Sequence, residues 1–270
     1  MTLEAVATRG LVLLGCGKMG SAMLAGWLDG GLPAASVWVQ DPFPSDWLKA
    51  TGVYINEGFP DNPAVVLIAV KPQMMGEALP ALSALPKDGT VFLSVAAGVS
   101  IASYEAALGA GTCVVRAMPN TPAAVAKGIT AIVGNTHASA ADLDLSEALL
   151  KAVGQVVRLD EESQMDAVTG VSGSGPAYVF YMIDALAAAG VSQGLPADLS
   201  MQLAKATVAG AGALAESAQE TPEQLRINVT SPNGTTQAGL EVLMDESGLM
   251  PLMVATVKAA SDRSKELGNG

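Results

Sequence analysis

The stretch Leu11 to Gly20, LVLLGCGKMG, constrains the fold of this chain more than any other. Four apolar residues run straight into Gly15, Cys16, Gly17, Lys18, Met19 and Gly20, and a helical pattern from Ser21 to Leu28 follows at once. That order reads as strand, tight turn, helix. Each glycine has a separate reason to be there: Gly15 allows the turn out of the strand, Gly17 lets backbone approach a pyrophosphate, and Gly20 lets the helix pack closely on the sheet. A diphosphate would then rest on the helix N-terminus, where free N–H groups and the helix dipole favour negative charge. The plainer reading is an ordinary glycine-rich turn, but a turn alone does not require this strand before it and this helix after it.

Further strands are expected downstream. Ser36 to Gln40 alternates as a second strand and closes on Asp41, roughly 20 residues beyond the last glycine of the loop. An acid there can accept from the adenosine ribose hydroxyls and would repel a 2′-phosphate. It can equally be a turn aspartate before Pro42. Ala64 to Val70, Thr90 to Val95 and Cys113 to Met118 are continuous apolar runs, as suits central parallel strands covered on both faces. Gly128 to Gly134 and Gln155 to Leu159 read as the last strands, with a helix over Ala140 to Val153 between them. Ligands in open α/β sheets bind outside the carboxyl ends of the strands. The small or polar residues after these runs are therefore candidates for cofactor contact.

Beyond Asp160 the pattern changes to long amphipathic helices. The chain divides there into an α/β Rossmann-type dinucleotide-binding domain with a mainly parallel sheet, residues 1–160, and an all-α domain, residues 161–270. With 270 residues, half of them hydrophobic, each part can bury a core. Gly175 and Pro176 open a helix with Val179, Met182, Ile183 and Leu186 on one face, for which Gly190 is read as the stop. Ala197 to Ser217 is a second helix, Thr221, Pro222 and Gln224 read as a capping box, and a last helix covers Leu249 to Leu267. The broad apolar faces suit either a monomeric bundle or a homodimer through this domain.

Between two of these helices lies NVTSPNGTTQAGL, Asn228 to Leu240, the most polar stretch of the second domain. Its Ser231, Thr235 and Thr236 hydroxyls and the N–H groups of Gly234, Thr235 and Thr236 make an anion cradle without a cation. A capped interhelical loop would use the same residue types.

Charge and composition exclude other classes. A net charge of −12 with no basic run disfavours nucleic acid and anionic membranes as partners. The amino-terminal residues lack a cationic start with a long apolar region, and no apolar run reaches membrane-spanning length, so a cytoplasmic protein is expected. Cys16 and Cys113 are too few for a disulfide framework, and the single His137 leaves no His-rich metal site. No metal is therefore expected.

Taken together, the glycine loop, AVKPQ (Ala69 to Gln73), SVAAGVSI (Ser94 to Ile101), RAMPNTP (Arg116 to Pro122), VTGVSGSGPAYVF (Val168 to Phe180) and VTSPNGTTQAGL resemble pyrroline-5-carboxylate reductase. The matches run in order through nearly the whole chain. The resemblance implies reduction of 1-pyrroline-5-carboxylate to proline with NADPH or NADH, the last step of proline synthesis. It also implies a Rossmann domain followed by a helical dimerisation domain, with dimers often assembled further into rings.

Carried over by position, Ser231 and the amides of Gly234 and Thr235 would hold the substrate carboxylate, and the Thr236 hydroxyl would meet the ring nitrogen as the catalytic residue. The cofactor would contact Asn228, the backbone of Ala69, Val70, Lys71 and Pro72, and the turn holding Ala96 and Ala97. Asn56 matches a position near the adenosine ribose. Two positions depart from the family: Asn233 replaces a glycine, which a residue tolerant of left-handed backbone can do, and Asp41 stands where members preferring NADPH carry neutral or phosphate-binding groups.

The chemistry this implies needs no histidine, because a protonated imine already carries the charge that hydride transfer neutralises. The protein then works mainly by orientation. Lys71 is the rival proton donor. Two other functions stay open on the residues: a hydroxy-acid dehydrogenase, for which Lys205 in a packed helix is the only mid-domain lysine, and a noncatalytic NAD(P)-binding protein.

Overall fold

The apolar runs become strands in the computed structural model, which describes residues 3–268. They are β1 (Leu11–Leu14), β2 (Val37–Gln40), β3 (Tyr54–Ile55), β4 (Val65–Ile68), β5 (Val91–Ser94), β6 (Cys113–Met118), β7 (Gly128–Gly134) and β8 (Gly154–Arg158). One eight-stranded sheet results, in the order β3-β2-β1-β4-β5-β6-β7-β8. Neighbours are parallel throughout except β6 and β7. The chain leaves β1 for β2 on one side and reaches β4 on the other, so the carboxyl end of β1 faces the crevice where strand order reverses.

Burial on both faces explains why the central strands have no polar alternation. Leu11 and Leu13 join one core with Met23, Leu24, Trp27, Leu145 and Leu149, whereas Val12 and Leu14 join a second with Ile68, Phe92, Ile101 and Tyr104. Successive side chains of a strand point to opposite faces. The helices α1 (Leu3–Arg9), α2 (Lys18–Asp29), α3 (Asp46–Lys49) and α6 (Ala140–Leu150) supply the first core, and α4 (Met75–Ala78), α5 (Ile101–Leu108) and α7 (Met165–Val168) the second. Each leucine-sized side chain so buried is worth about 1.5–3 kcal/mol. The Trp27 indole N–H, which that burial would otherwise orphan, donates to the Leu149 carbonyl at 2.8 Å.

The reversal at β7 has a local cause. Residues between β6 and β7 form only a 3-10 turn, Thr121–Val125, closed by Ala126 in the left-handed region at φ 55°. A connection this short cannot carry a crossover helix, so the strands must be antiparallel. Asn120 seals the corner, its Oδ1 accepting from the Ile129 N–H at 2.9 Å and its Nδ2 donating to the Ser172 carbonyl at 3.1 Å.

Contacts divide the chain into Met1–Gly173 with Ala260–Gly270, and Ser174–Ala259. This differs from the division at Asp160: the first unit also takes α7, the π-helical turn Thr169–Gly173 and the end of the last helix. Helices account for the second part of the chain: α8 (Gly175–Ser192), α9 (Ala197–Ser217), α10 (Pro222–Asn228), α11 (Thr235–Leu243) and α12 (Leu249–Gly268).

Two expectations about these helices need correction. Gly190 does not end α8, which continues to Ser192 and stops before Gly194 at φ 94°. Gly190 is instead a close-approach residue: a Cβ there would collide with Ser200 Oγ of α9, which donates to the Ala187 carbonyl at 2.6 Å. The capping box at α10 is half formed. Thr221 Oγ1 accepts from the Gln224 N–H, but the Gln224 side chain turns forward to Asn228 Oδ1 at 2.8 Å.

Candidate dinucleotide site and substrate loop

The glycine loop is built by near-collisions. Gly15 adopts φ 89°, and a Cβ on it would stand 2.9 Å from Val70 Cγ1 and 3.0 Å from the Ala69 carbonyl oxygen. Gly20 packs against the carbonyl of Gly15, and a Cβ there would also stand 3.5 Å from Leu13 Cδ1 of β1, so it closes the helix on both loop and sheet. Gly17, the N-cap of α2, is exposed, and a Cβ there would meet nothing within 4 Å. The first N–H groups of α2, those of Lys18, Met19 and Gly20, have no acceptor within the helix. An open position beside free amides is what a diphosphate needs, so these residues fit a dinucleotide.

Asp41 takes the turn role its sequence position allows and adds a second bond that the sequence did not suggest. Its Oδ1 accepts from the Phe43 N–H at 2.8 Å, which is the turn role, and its Oδ2 accepts from the Cys16 N–H at 2.7 Å, tying the end of β2 to the glycine loop. Asn56 is next to it, but its side chain is spent on Asp41 backbone: Oδ1 accepts from the Asp41 N–H at 3.0 Å and Nδ2 donates to the Asp41 carbonyl at 2.8 Å. Burial, and then the negative charge of Asp41, push the Cys16 thiol up to about 11. It stays protonated at neutral pH and is no nucleophile.

The expected strand-end contacts lie at the carboxyl ends of β4 and β5. Ala69 N–H donates to the Leu14 carbonyl at 2.8 Å, Val70 packs on Gly15, and Lys71 is exposed as the N-cap of the 3-10 turn Pro72–Met74. The Lys71 carbonyl accepts from the Met74 N–H. After β5, buried Ala96 donates its N–H to Ser94 Oγ at 3.3 Å, Ala97 is exposed, and Gly98 takes φ 74°. Ser94 Oγ is itself paired with the buried Tyr104 hydroxyl.

Arg116, beside Ser94 in the β5–β6 register, forms an ion pair with Glu162 at 2.6 Å, and Glu162 Oε1 also accepts the Ile101 N–H at 2.9 Å. Sequence reading missed Tyr104 and Glu162 as supports of this turn. Glu162 is one of several acids around position 160, and nothing in its neighbours marks it as the one that folds back.

The candidate substrate loop occupies Val229–Gly234, between α10, which ends with exposed Asn228, and α11, which starts at Thr235. Asn233 sits in the left-handed region at φ 58°, the backbone a glycine reaches most easily, and its N–H is held by Gln237 Oε1 at 2.8 Å. The Gly234 N–H is already given to the Ser231 carbonyl at 3.0 Å. That leaves the amides of Thr235 and Thr236, at the head of α11, for an anion. Ser231, Thr235 and Thr236 are exposed. Lys205 is exposed on α9 rather than packed, and His137 is exposed in the loop after β7.

Among the described residues no group of three or more His, Cys, Asp and Glu is arranged to hold a metal, and no helix is long and apolar enough to cross a membrane.

With this geometry in place, the likeness to known proteins is informative. Residues 162–267 match the family described as pyrroline-5-carboxylate reductase dimerisation, and residues 10–98 match NADP oxidoreductase, coenzyme F420-dependent. The pyrroline-5-carboxylate reductase of Pseudomonas aeruginosa is 38% identical over 268 residues, covering 97% of this chain and 98% of that protein. Among solved structures, the pyrroline-5-carboxylate reductase of Coxiella burnetii superposes with a TM-score of 0.91 at 32% identity, covering 96% of this chain and 98% of the other. That of Plasmodium falciparum, solved with NADP bound, superposes with a TM-score of 0.79 at 28% identity over the same shares. Likeness of this extent, spanning both units and both loops, places the chain in the pyrroline-5-carboxylate reductase family.

Proposed function

We propose that this chain reduces 1-pyrroline-5-carboxylate to L-proline at the expense of NADH or NADPH, the last step of proline biosynthesis. The observation that carries the reading is the loop before α11, where Asn233 keeps a glycine-like backbone and two free amides head a helix. Thr235 and Thr236 N–H groups, with the Ser231 hydroxyl, hold the carboxylate of the imino acid. The Thr236 hydroxyl orients the ring nitrogen.

When bound, the reduced nicotinamide supplies a hydride to C5 of the cyclic imine. The imine nitrogen enters protonated, its positive charge is neutralised as the C–H bond forms, and a secondary amine results. No residue therefore has to deliver a proton in that step, which suits a site whose polar groups are hydroxyls and amides. Gly15, Cys16, Gly17, Lys18, Met19 and Gly20 receive the diphosphate. Asp41 and Asn56 lie toward the adenosine end, and Ala69, Val70, Lys71, Pro72, Ala96, Ala97 and Asn228 complete the contacts.

The division of labour we propose is a dinucleotide-binding part, residues 1–160, and a substrate and dimerisation part, residues 161–270. The family match over residues 162–267 supports it. A homodimer through the helical part is included, supported by the apolar side chains that α8, α10, α11 and α12 leave exposed, among them Phe180, Tyr181, Val242 and Met250. A cytoplasmic location is part of the same proposal, supported by two free cysteines.

The test is the decay of reduced-nicotinamide absorbance with 1-pyrroline-5-carboxylate and each cofactor in turn. Turnover above the blank is expected, and Thr236→Ala should lower kcat roughly tenfold to a hundredfold while dinucleotide binding is unchanged, as for loss of one hydrogen bond to a charged group. Unaltered kinetics in that variant would remove Thr236 from the mechanism.

A further inference from the structure

We infer that Asp41 makes this chain selective for NAD(H) over NADP(H), and that Asn56 is the positioning residue that holds Asp41 for this task. The inference rests on the dinucleotide site proposed above and goes on to name which dinucleotide it takes.

The Asp41 carboxylate is fixed from two sides, by the Cys16 N–H of the glycine loop at 2.7 Å and by the Phe43 N–H at 2.8 Å. Each oxygen thus spends one acceptor position on backbone and keeps another free, since an ionised carboxylate has about four such positions. It stands at the end of β2, joined directly to the loop that receives the diphosphate, which is where an acid meets the adenosine ribose. Two hydroxyls can donate to it; a phosphate ester in place of one cannot, and brings like charge instead.

The segment that follows β2 offers little to compensate that repulsion. From Gln40 to Gly58 the charged residues are Asp41, Asp46, Lys49 and Glu57. The one cation among them, Lys49, pairs with Asp46 at 3.0 Å on the exposed surface of α3. Lys18 is the first residue of α2, at the glycine loop.

Asn56 completes the argument. It adopts φ 57°, and its carboxamide makes a paired bond with the backbone N–H and carbonyl of Asp41, 15 residues earlier in the chain. With both ends of the amide so used, Asn56 acts on the ribose through Asp41. A glycine at 56 would keep the left-handed backbone and delete only this brace, which separates positioning from folding.

The experiment measures dissociation constants of NAD+ and NADP+ by calorimetry on the full-length protein, alongside KM and kcat for NADH and NADPH. The wild type should bind NAD+ at least about tenfold more tightly than NADP+, the scale of an uncompensated like-charge contact. Asp41→Ser should shrink or reverse that ratio. Asn56→Gly should lower it several-fold and raise KM for NADH more than it changes kcat. Equal or tighter binding of NADP+ by the wild type would overturn the inference while leaving the reductase reading intact. Weakening of both dinucleotides by the same factor in Asn56→Gly would overturn the positioning role. Failure to bind either dinucleotide would overturn the site itself.

Discussion

Asn233 shows how a residue other than glycine can hold a left-handed turn. Left-handed backbone costs an ordinary L-residue roughly 1–2 kcal/mol, and asparagine less, because its short side chain bonds locally. Here the position is at φ 58° and its N–H is held by Gln237. Asn233→Gly should therefore leave the melting temperature nearly unchanged, whereas Asn233→Val, with its branched Cβ, should raise KM for the imino acid and destabilise by about 1–2 kcal/mol. Equal KM values for the two variants would show that the loop tolerates other backbones. At this scale the sequence was readable wherever a residue type has a single physical use, as with Gly15, whose φ of 89° follows from the turn it makes. It was not readable where a side chain serves a distant partner. The Cys16–Asp41 bond joins residues 25 apart, and only the parallel register of β1 and β2, Leu14 opposite Gln40, brings them together.

Among the elements, the strands of continuous apolar sequence were legible because burial on both faces leaves no other composition. β3 was not, since two residues, Tyr54 and Ile55, carry no period; it exists because β2 offers an edge and Trp38 stacks on Tyr54 with ring centroids 4.8 Å apart. The direction of β7 was equally hidden, as it depends on Ala126 and Asn120 closing a short corner. Gly190 illustrates the opposite error: a helix-stop signal that is a packing contact in space. Gly190→Val should destabilise by about 1–3 kcal/mol, as overpacking does, read from chemical denaturation. Ser200→Ala should cost about 1 kcal/mol through the lost bond to Ala187. A neutral Gly190→Val would mean that α8 and α9 do not need this close approach.

For the whole molecule, the contrast between the two units is one of coverage. The first buries both faces of its sheet, while in Ser174–Ala259 Ala187, Ser200 and Ala204 are buried and side chains as large as Tyr181 and Met250 are 75% and 74% exposed. Apolar area of that extent calls for a partner surface. Sedimentation should find at least twice the chain mass, and the melting temperature should rise with protein concentration, as linkage to association requires. A concentration-independent transition from a monomer would remove the dimer from the proposal.

The sequence by itself determined the parallel sheet, the glycine loop and the polar turn before α11, because each follows from local rules: apolar runs for buried strands, missing Cβ atoms for close backbone, turn residues for a helix start. Only the tertiary structure decided which groups meet across the chain. Asp41 bridging to Cys16, Asn56 bracing Asp41, Glu162 joining Arg116 to the start of α5, and Gly190 admitting Ser200 are all products of register and packing, which no local window of residues contains.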